Sequence, residues 1–127
     1  MKILLAIVWT LFIIIGSAIS GNSLNQLQFI QLPYFDKVVH FVWYFVLYML
    51  WYSYLLHRNH TFQRVKFRIL LFAGVILFGL VLELLQKYYF IKRSAEIADF
   101  FADSLGACLA LILFFELYQS KYLGKYL

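Results

Sequence analysis

Four long apolar stretches, separated by short polar segments, dominate the pattern of this chain. They cover residues 3–19, 38–56, 69–85 and 97–117. A helix needs about 20 mostly apolar residues to cross the hydrocarbon core of a bilayer, within a range of roughly 17 to 25. Strands of this length would be unusual, because most strands have about 3 to 10 residues. The pattern therefore predicts an all-α membrane protein, a bundle of four transmembrane helices.

The first stretch has a competing interpretation. Lys2, a short apolar core and the small residues around Ala18 and Ser20 resemble a signal peptide followed by its cleavage site. A signal peptide also starts on the cytoplasmic side, so its removal would not change the predicted orientation of the later helices.

Composition agrees with a membrane location. Sixty-five per cent of the 127 residues are hydrophobic and the mean hydropathy is +0.82, whereas soluble domains are roughly 45 to 50% apolar. The length predicts a single domain over residues 1–127. Cys108 is the one cysteine, so an intramolecular disulfide is excluded.

The net charge of +5 reflects membrane topology better than nucleic-acid binding, because the basic residues form no continuous patch with stacking aromatics. In a four-span arrangement, the side with both termini carries Lys2, Arg58, Arg64, Lys66, Arg68, Lys121 and Lys125. The opposite side carries Lys37, Lys87, Lys92 and Arg93. Because cytoplasmic loops carry the excess of Lys and Arg, both termini are predicted to be cytoplasmic.

The second span opens with ionisable residues and continues with aromatic ones. Asp36 and His40 are four residues apart and share a helix face, with Lys37 beside them. A purely structural interpretation makes Asp36 a helix cap, lets Lys37 snorkel to the interface and bonds His40 to a neighbouring helix. The aromatic series is expected to serve packing and interface anchoring; it comprises Phe41, Trp43, Tyr44, Phe45, Tyr48, Trp51, Tyr52 and Tyr54.

Glu83 lies at the end of an almost unbroken apolar run. An ionised carboxylate in hydrocarbon costs several kcal/mol unless it is paired or hydrated, so such residues commonly mark functional sites. Gln86 lies on the same side of the helix, and Gly79 one turn earlier leaves room for another helix. The structural alternative is an ion pair between Glu83 and Lys87 or Arg93.

The fourth span begins with Asp99 and Asp103, followed on the same face by Gly106 and Ala110. The small residues predict close contact with another helix. Two ionised aspartates one turn apart repel each other, so we expect either a cation between them, Arg93 being the nearest in sequence, or a proton on one of them.

These polar residues come from three helices and are predicted to meet at the extracytoplasmic membrane face. The predicted binding residues are Asp36, Lys37, His40, Glu83, Gln86, Arg93, Asp99 and Asp103. The candidates for a catalytic role are His40, Glu83 and Asp99.

The chain resembles the VanZ-like family of small bacterial membrane proteins over most of its length. The resemblance is carried by Asp36-Lys37-x-x-His40-Phe41, by Glu83-x-x-Gln86, and by Arg93 followed by Asp99, Asp103 and Gly106. It implies a multi-pass protein of the bacterial cytoplasmic membrane, and the namesake of the family confers low-level resistance to the lipoglycopeptide teicoplanin. The family usually has Asn where this chain has Asp103, which adds a titratable group at that position.

Three functions remain open from the residues. The first is binding of the headgroup of a lipid-linked envelope molecule or lipoglycopeptide, with Lys37 and Arg93 attracting its anionic part. The second is an enzyme at the membrane surface using His40 with Glu83 or Asp99 in acid–base chemistry. The third is proton or ion transport, which the nearly apolar cytoplasmic halves of the spans disfavour.

No metal or other cofactor is predicted from the sequence. A cation held by His40 with Glu83, Asp99 and Asp103 is the less favoured alternative, because these residues are scattered along the chain. Such an oxygen-rich ligand set would suit a hard or borderline cation. The expected partners are membrane lipids and the lipid-linked ligand.

Overall fold

The computed structural model describes residues 1–18, 35–59, 64–88 and 97–119. These residues form four α-helices: α1 (Lys2–Ala18), α2 (Phe35–Arg58), α3 (Val65–Tyr88) and α4 (Ile97–Gln119). The predicted all-helical class is confirmed. The helices α2 and α3 extend beyond their predicted apolar spans at both ends, because a helix continues to satisfy backbone hydrogen bonds into the polar boundary.

Three helices have the length and apolar composition of membrane spans, in the segments Lys37–Arg58, Val65–Tyr88 and Ile97–Phe114. The helix α1 is apolar but shorter, with 17 residues. Many large apolar side chains point outward, which suits a lipid environment better than water. They include Leu4, Leu5, Val8, Leu11, Ile15, Val38, Ile69, Leu70, Leu77, Leu84, Phe101, Leu105 and Ile112.

The most extensive helix contact joins α2 and α4. At its centre, Gly106 of α4 lies so close to α2 that an added Cβ would overlap the carbonyl oxygen of Phe41. Ala107 and Ala110 continue this contact and are fully buried. The predicted role of the small residues in close packing is therefore confirmed.

The core is formed largely by one face of α2. Tyr44, Tyr48 and Tyr52 recur every four residues along this face, and all three are buried. The Tyr52 ring meets Phe114 of α4 edge to face, with centroids 4.4 Å apart. The predicted packing role of the aromatic series is thus confirmed for these tyrosines.

Indole side chains attach α1 to α2. Trp9 Nε1 donates to the carbonyl oxygen of Trp43 at 2.9 Å, and Trp51 Nε1 donates to the hydroxyl of Thr10 at 3.0 Å. The Trp43 ring also covers Gly16, where a side chain would collide with it. Both indole N–H groups are thereby satisfied within an apolar bundle, where leaving them unbonded would be costly.

We expect Gly106→Ala to destabilise the bundle by about 1–3 kcal/mol or more, because the new methyl group can be accommodated only by moving the α2 backbone away. The matched control is Gly74→Ala on α3, where an added Cβ meets nothing within 4 Å. This control should be neutral or slightly stabilising, because Ala is a better helix former than Gly. Thermal unfolding in detergent or nanodiscs measures both, and equal stability of the two variants would contradict the described packing.

Candidate functional site

Four ionisable side chains are buried together at one end of the bundle. His40 lies near the start of α2, Glu83 lies near the end of α3, and Asp99 and Asp103 lie in the first two turns of α4. Their exposed fractions are 3% for His40, 7% for Glu83, 4% for Asp99 and 1% for Asp103. Charged groups are rarely buried to this degree unless they are paired or bind a ligand.

An ion pair joins α2 and α4 at the edge of this group. The Lys37 ammonium lies 2.8 Å from Asp99 Oδ1. The Lys37 side chain is 25% exposed whereas that of Asp99 is 6% exposed, so the pair connects the buried group with the surface. Lys37 therefore binds a specific partner while part of its side chain stays exposed.

A second contact lies one turn deeper. His40 Nδ1 lies 2.8 Å from Asp103 Oδ1, and both residues are buried. An ionised carboxylate can only accept a hydrogen bond, so Nδ1 carries the proton and donates it. The other ring nitrogen, Nε2, faces Asp99 Oδ2 at 3.9 Å. Asp103 thus fixes both the tautomer and the orientation of the imidazole.

Helical spacing explains why these two contacts form together. Lys37 and His40 are three residues apart on α2, and Asp99 and Asp103 are four residues apart on α4. Each pair therefore covers one turn of its own helix, and the two turns face each other. Within the described residues, α2 places a cation, Lys37, beside Asp99 and a hydrogen-bond donor, His40 Nδ1, beside Asp103.

Glu83 joins this group from α3. One ligand atom each of His40, Glu83 and Asp99 lies within 4.8 Å of the others. One turn earlier on α3, an added Cβ at Gly79 would lie 3.3 Å from Asp103 Oδ2 and 3.1 Å from the Tyr44 ring. The missing side chain at Gly79 therefore allows α2 and α4 to approach α3, as its position in the sequence predicts.

The Gln86 side chain forms a hydrogen bond with α1. It is 1% exposed, and its amide donates to the carbonyl oxygen of Ser17 in α1 at 3.1 Å. This contact was not predicted, because a backbone carbonyl near a helix end carries no sequence signal. Gln86 ties the end of α1 to the end of α3 beside the ionisable group.

The structure does not describe the side chains of two predicted site residues, Asp36 and Arg93. Asp36 lies in the first turn of α2, but its side chain is outside the described part of the chain, as is the whole of Arg93. Their contribution stays a prediction. Lys87, a predicted structural partner of Glu83, is exposed, and its ammonium lies 5.4 Å from the centroid of the Tyr88 ring.

The five residues Lys37, His40, Glu83, Asp99 and Asp103 are called the polar cluster below. The cluster offers an ammonium, an oriented imidazole and three carboxyl groups, in a setting where electrostatic interactions are stronger than in water. Such a set can bind a polar headgroup, exchange a proton or hold a cation. The sequence did not reveal Tyr44 as its neighbour, although Tyr44 follows His40 by one helical turn.

The protein defined by this fold is a helical bundle with three candidate membrane spans and a polar cluster at one end. No protein-family model, curated protein or solved structure matched the chain.

We expect Lys37 and Asp99 to be energetically coupled. In a double-mutant cycle of Lys37→Met and Asp99→Asn, the coupling should be about 0.5–3 kcal/mol, because each single change leaves the other group without its ionic partner. Unfolding free energies in detergent or bilayers measure this coupling. The control cycle combines Lys66→Met, at the opposite end of the bundle, with Asp99→Asn and should be additive; equal coupling in both cycles would contradict a specific ion pair.

Proposed function

We propose that this chain is a VanZ-like integral membrane protein whose polar cluster binds the headgroup of a lipid-linked envelope molecule or lipoglycopeptide. In this role it contributes to glycopeptide resistance, including resistance to teicoplanin, or to homeostasis of the cell envelope. The observation that carries the proposal is the burial of four ionisable residues from three helices at one end of an otherwise apolar bundle, with the partly exposed Lys37 at their edge. Intramembrane ionisable residues are expensive, which favours a functional explanation for a group of this size.

The family assignment is supported by the sequence motifs. Asp36-Lys37-x-x-His40, Glu83-x-x-Gln86 and Asp99 with Gly106 occur in the order and spacing of the VanZ-like pattern. Among them, Lys37, His40, Glu83 and Asp99 belong to the polar cluster. The motif residues therefore have a shared chemical environment, as a common binding role requires.

Headgroup binding would use the exposed edge of the cluster. The Lys37 ammonium is the cluster group with the most access to solvent, so an anionic ligand group would compete there with Asp99. Hydroxyl or amide groups of the ligand would donate to Glu83 and Asp99, since carboxylates are acceptors. Arg93 would add a second cation with bidentate geometry.

We also propose four spans in the bacterial cytoplasmic membrane, with both termini cytoplasmic and the cluster on the extracytoplasmic side. The distribution of basic residues supports this orientation. A ligand on the outer leaflet, such as a lipoglycopeptide, could then reach the cluster without crossing the membrane.

The binding proposal is tested by teicoplanin protection in a susceptible bacterium. Cells with the unchanged protein should survive a higher drug concentration than cells without it, and Glu83→Gln should remove most of this protection because it deletes a buried acceptor charge. Glu116→Gln is the matched control, since Glu116 is an exposed glutamate near the far end of α4. Immunoblots of isolated membranes establish equal amounts of each variant. Full protection by Glu83→Gln would contradict the proposed role of the cluster in resistance.

The proposed orientation is tested by cysteine accessibility in a Cys108→Ser background. Lys87→Cys at the cluster end should react with a membrane-impermeant maleimide on intact cells, whereas Arg64→Cys should react only after permeabilisation. Both residues are exposed and lie at opposite ends of α3, so they form a matched pair. The reverse labelling pattern would place the cluster on the cytoplasmic side.

A second candidate function is an enzyme acting at the membrane surface. One observation favours it: Asp103 holds His40 through Nδ1, as an orienting carboxylate holds a general base. His40 Nε2 would then exchange a proton with the substrate, and Lys37 would stabilise a developing anion. Incubation of the purified protein with teicoplanin, followed by mass spectrometry, tests this candidate, and an unchanged mass of the drug would contradict its modification.

A further inference from the structure

The polar cluster contains a set of side chains that suits a metal ion. His40 from α2, Glu83 from α3 and Asp99 from α4 are all buried, and their ligand atoms lie within 4.8 Å of one another. The residues are distant in sequence, so only the packing of the three helices makes them a common ligand set. Helix bundles build metal sites in this way, from side chains that project inward from facing helices.

The surroundings of these three residues also match those of a metal centre. A metal-ligating His almost always donates its other ring N–H to a carboxylate, carbonyl or water, and ligating carboxylates are themselves hydrogen-bonded. Here His40 Nδ1 donates to Asp103, which directs Nε2 toward Asp99 at 3.9 Å. Lys37 contacts Asp99 through Oδ1, whereas Oδ2 is the oxygen that faces His40. His40 thus has Asp103 as an outer partner on Nδ1, and Asp99 has Lys37 as an outer partner on Oδ1.

We infer that His40 Nε2, Glu83 and Asp99 Oδ2 bind a divalent first-row transition ion of the Zn²⁺ or Mn²⁺ class. One imidazole and two carboxylates are a mixed nitrogen and oxygen set, which suits these ions better than the all-oxygen sites of Mg²⁺ and Ca²⁺. Asp103 and Lys37 are positioning residues that hold the ligands. Metal–ligand distances of about 2.0–2.2 Å place tetrahedral ligand atoms about 3.4 Å apart, so the side chains must converge slightly on binding.

The ion would give the proposed headgroup site a defined chemistry. Three protein ligands leave at least one coordination position for water or for a ligand oxygen, as in open metal sites. A phosphate or carboxylate of the headgroup would occupy that position. This consequence rests on the proposed function, whereas metal binding itself does not.

The experiment uses the full chain in nanodiscs after EDTA treatment, with Zn²⁺ or Mn²⁺ as the only added ligand. Equilibrium dialysis with elemental analysis should give about one ion per chain, and Mg²⁺ should not compete at equal concentration. Glu83→Gln and Asp99→Asn should each weaken binding at least tenfold. Asp103→Ala should weaken it by about 10–100-fold, the effect typical of losing an outer partner. Glu116→Gln and His57→Gln, which change exposed residues near the opposite end, should bind like the unchanged protein.

Pulsed electron paramagnetic resonance of bound Mn²⁺ provides a readout on the folded, unchanged protein. It should detect one directly coordinated imidazole nitrogen. Failure to bind either ion, absence of the nitrogen coupling, or unchanged affinity in both Glu83→Gln and Asp99→Asn would overturn the inference. These results would leave the teicoplanin test unaffected. Full teicoplanin protection by Glu83→Gln, together with normal metal binding by the unchanged protein, would overturn the headgroup proposal alone.

Discussion

The close approach of α2 and α4 at Gly106 is the constraint on which the rest of the structure depends. Because Gly106 lies against the backbone of Phe41, the two helices are fixed in register immediately below the polar cluster. Lys37 then faces Asp99, and His40 faces Asp103. A longer helix separation would leave these charges apart in a medium of low dielectric, where an unpaired charge is strongly destabilising.

The sequence predicts the four helices and the meeting of His40, Glu83, Asp99 and Asp103 at one end of the bundle, but it does not predict which of these side chains pair. Long apolar runs predict helices because the backbone N–H and C=O groups of a chain within a bilayer must form hydrogen bonds with each other. The distance of a polar residue from the end of its run then predicts its depth in the membrane. Partner choice depends on how each helix is rotated about its axis. By sequence distance Arg93, which lies outside the described residues, is the nearest cation to Asp99 and Asp103. Within the described residues, Lys37 and His40 of α2 contact these aspartates. The hydrogen bond from Gln86 to the Ser17 carbonyl could not be predicted either, because it depends on where α1 ends.

Asp103 has two effects in this arrangement. Its carboxylate accepts the hydrogen bond from His40 Nδ1, an acceptor role that the amide oxygen of an Asn could also fill. The carboxylate also adds a negative charge beside the imidazole ring. Asp103 therefore contributes to the polar cluster both the hydrogen bond that orients His40 and a third buried carboxyl group.

Solid-state NMR in lipid bilayers gives the most direct test of the polar cluster. Replacement of His57 and His60 by Gln leaves His40 as the one histidine, whose ¹⁵N-labelled ring can be measured against ¹³C-labelled carboxyl groups. We expect dipolar coupling from Nδ1 to Asp103 and from the ring to both Asp99 and Glu83, because the ligand atoms lie within 4.8 Å. Assignment uses the Asp99→Asn, Asp103→Asn and Glu83→Gln variants. A ring coupled to Asp103 but to neither Asp99 nor Glu83 would contradict a cluster shared by three helices.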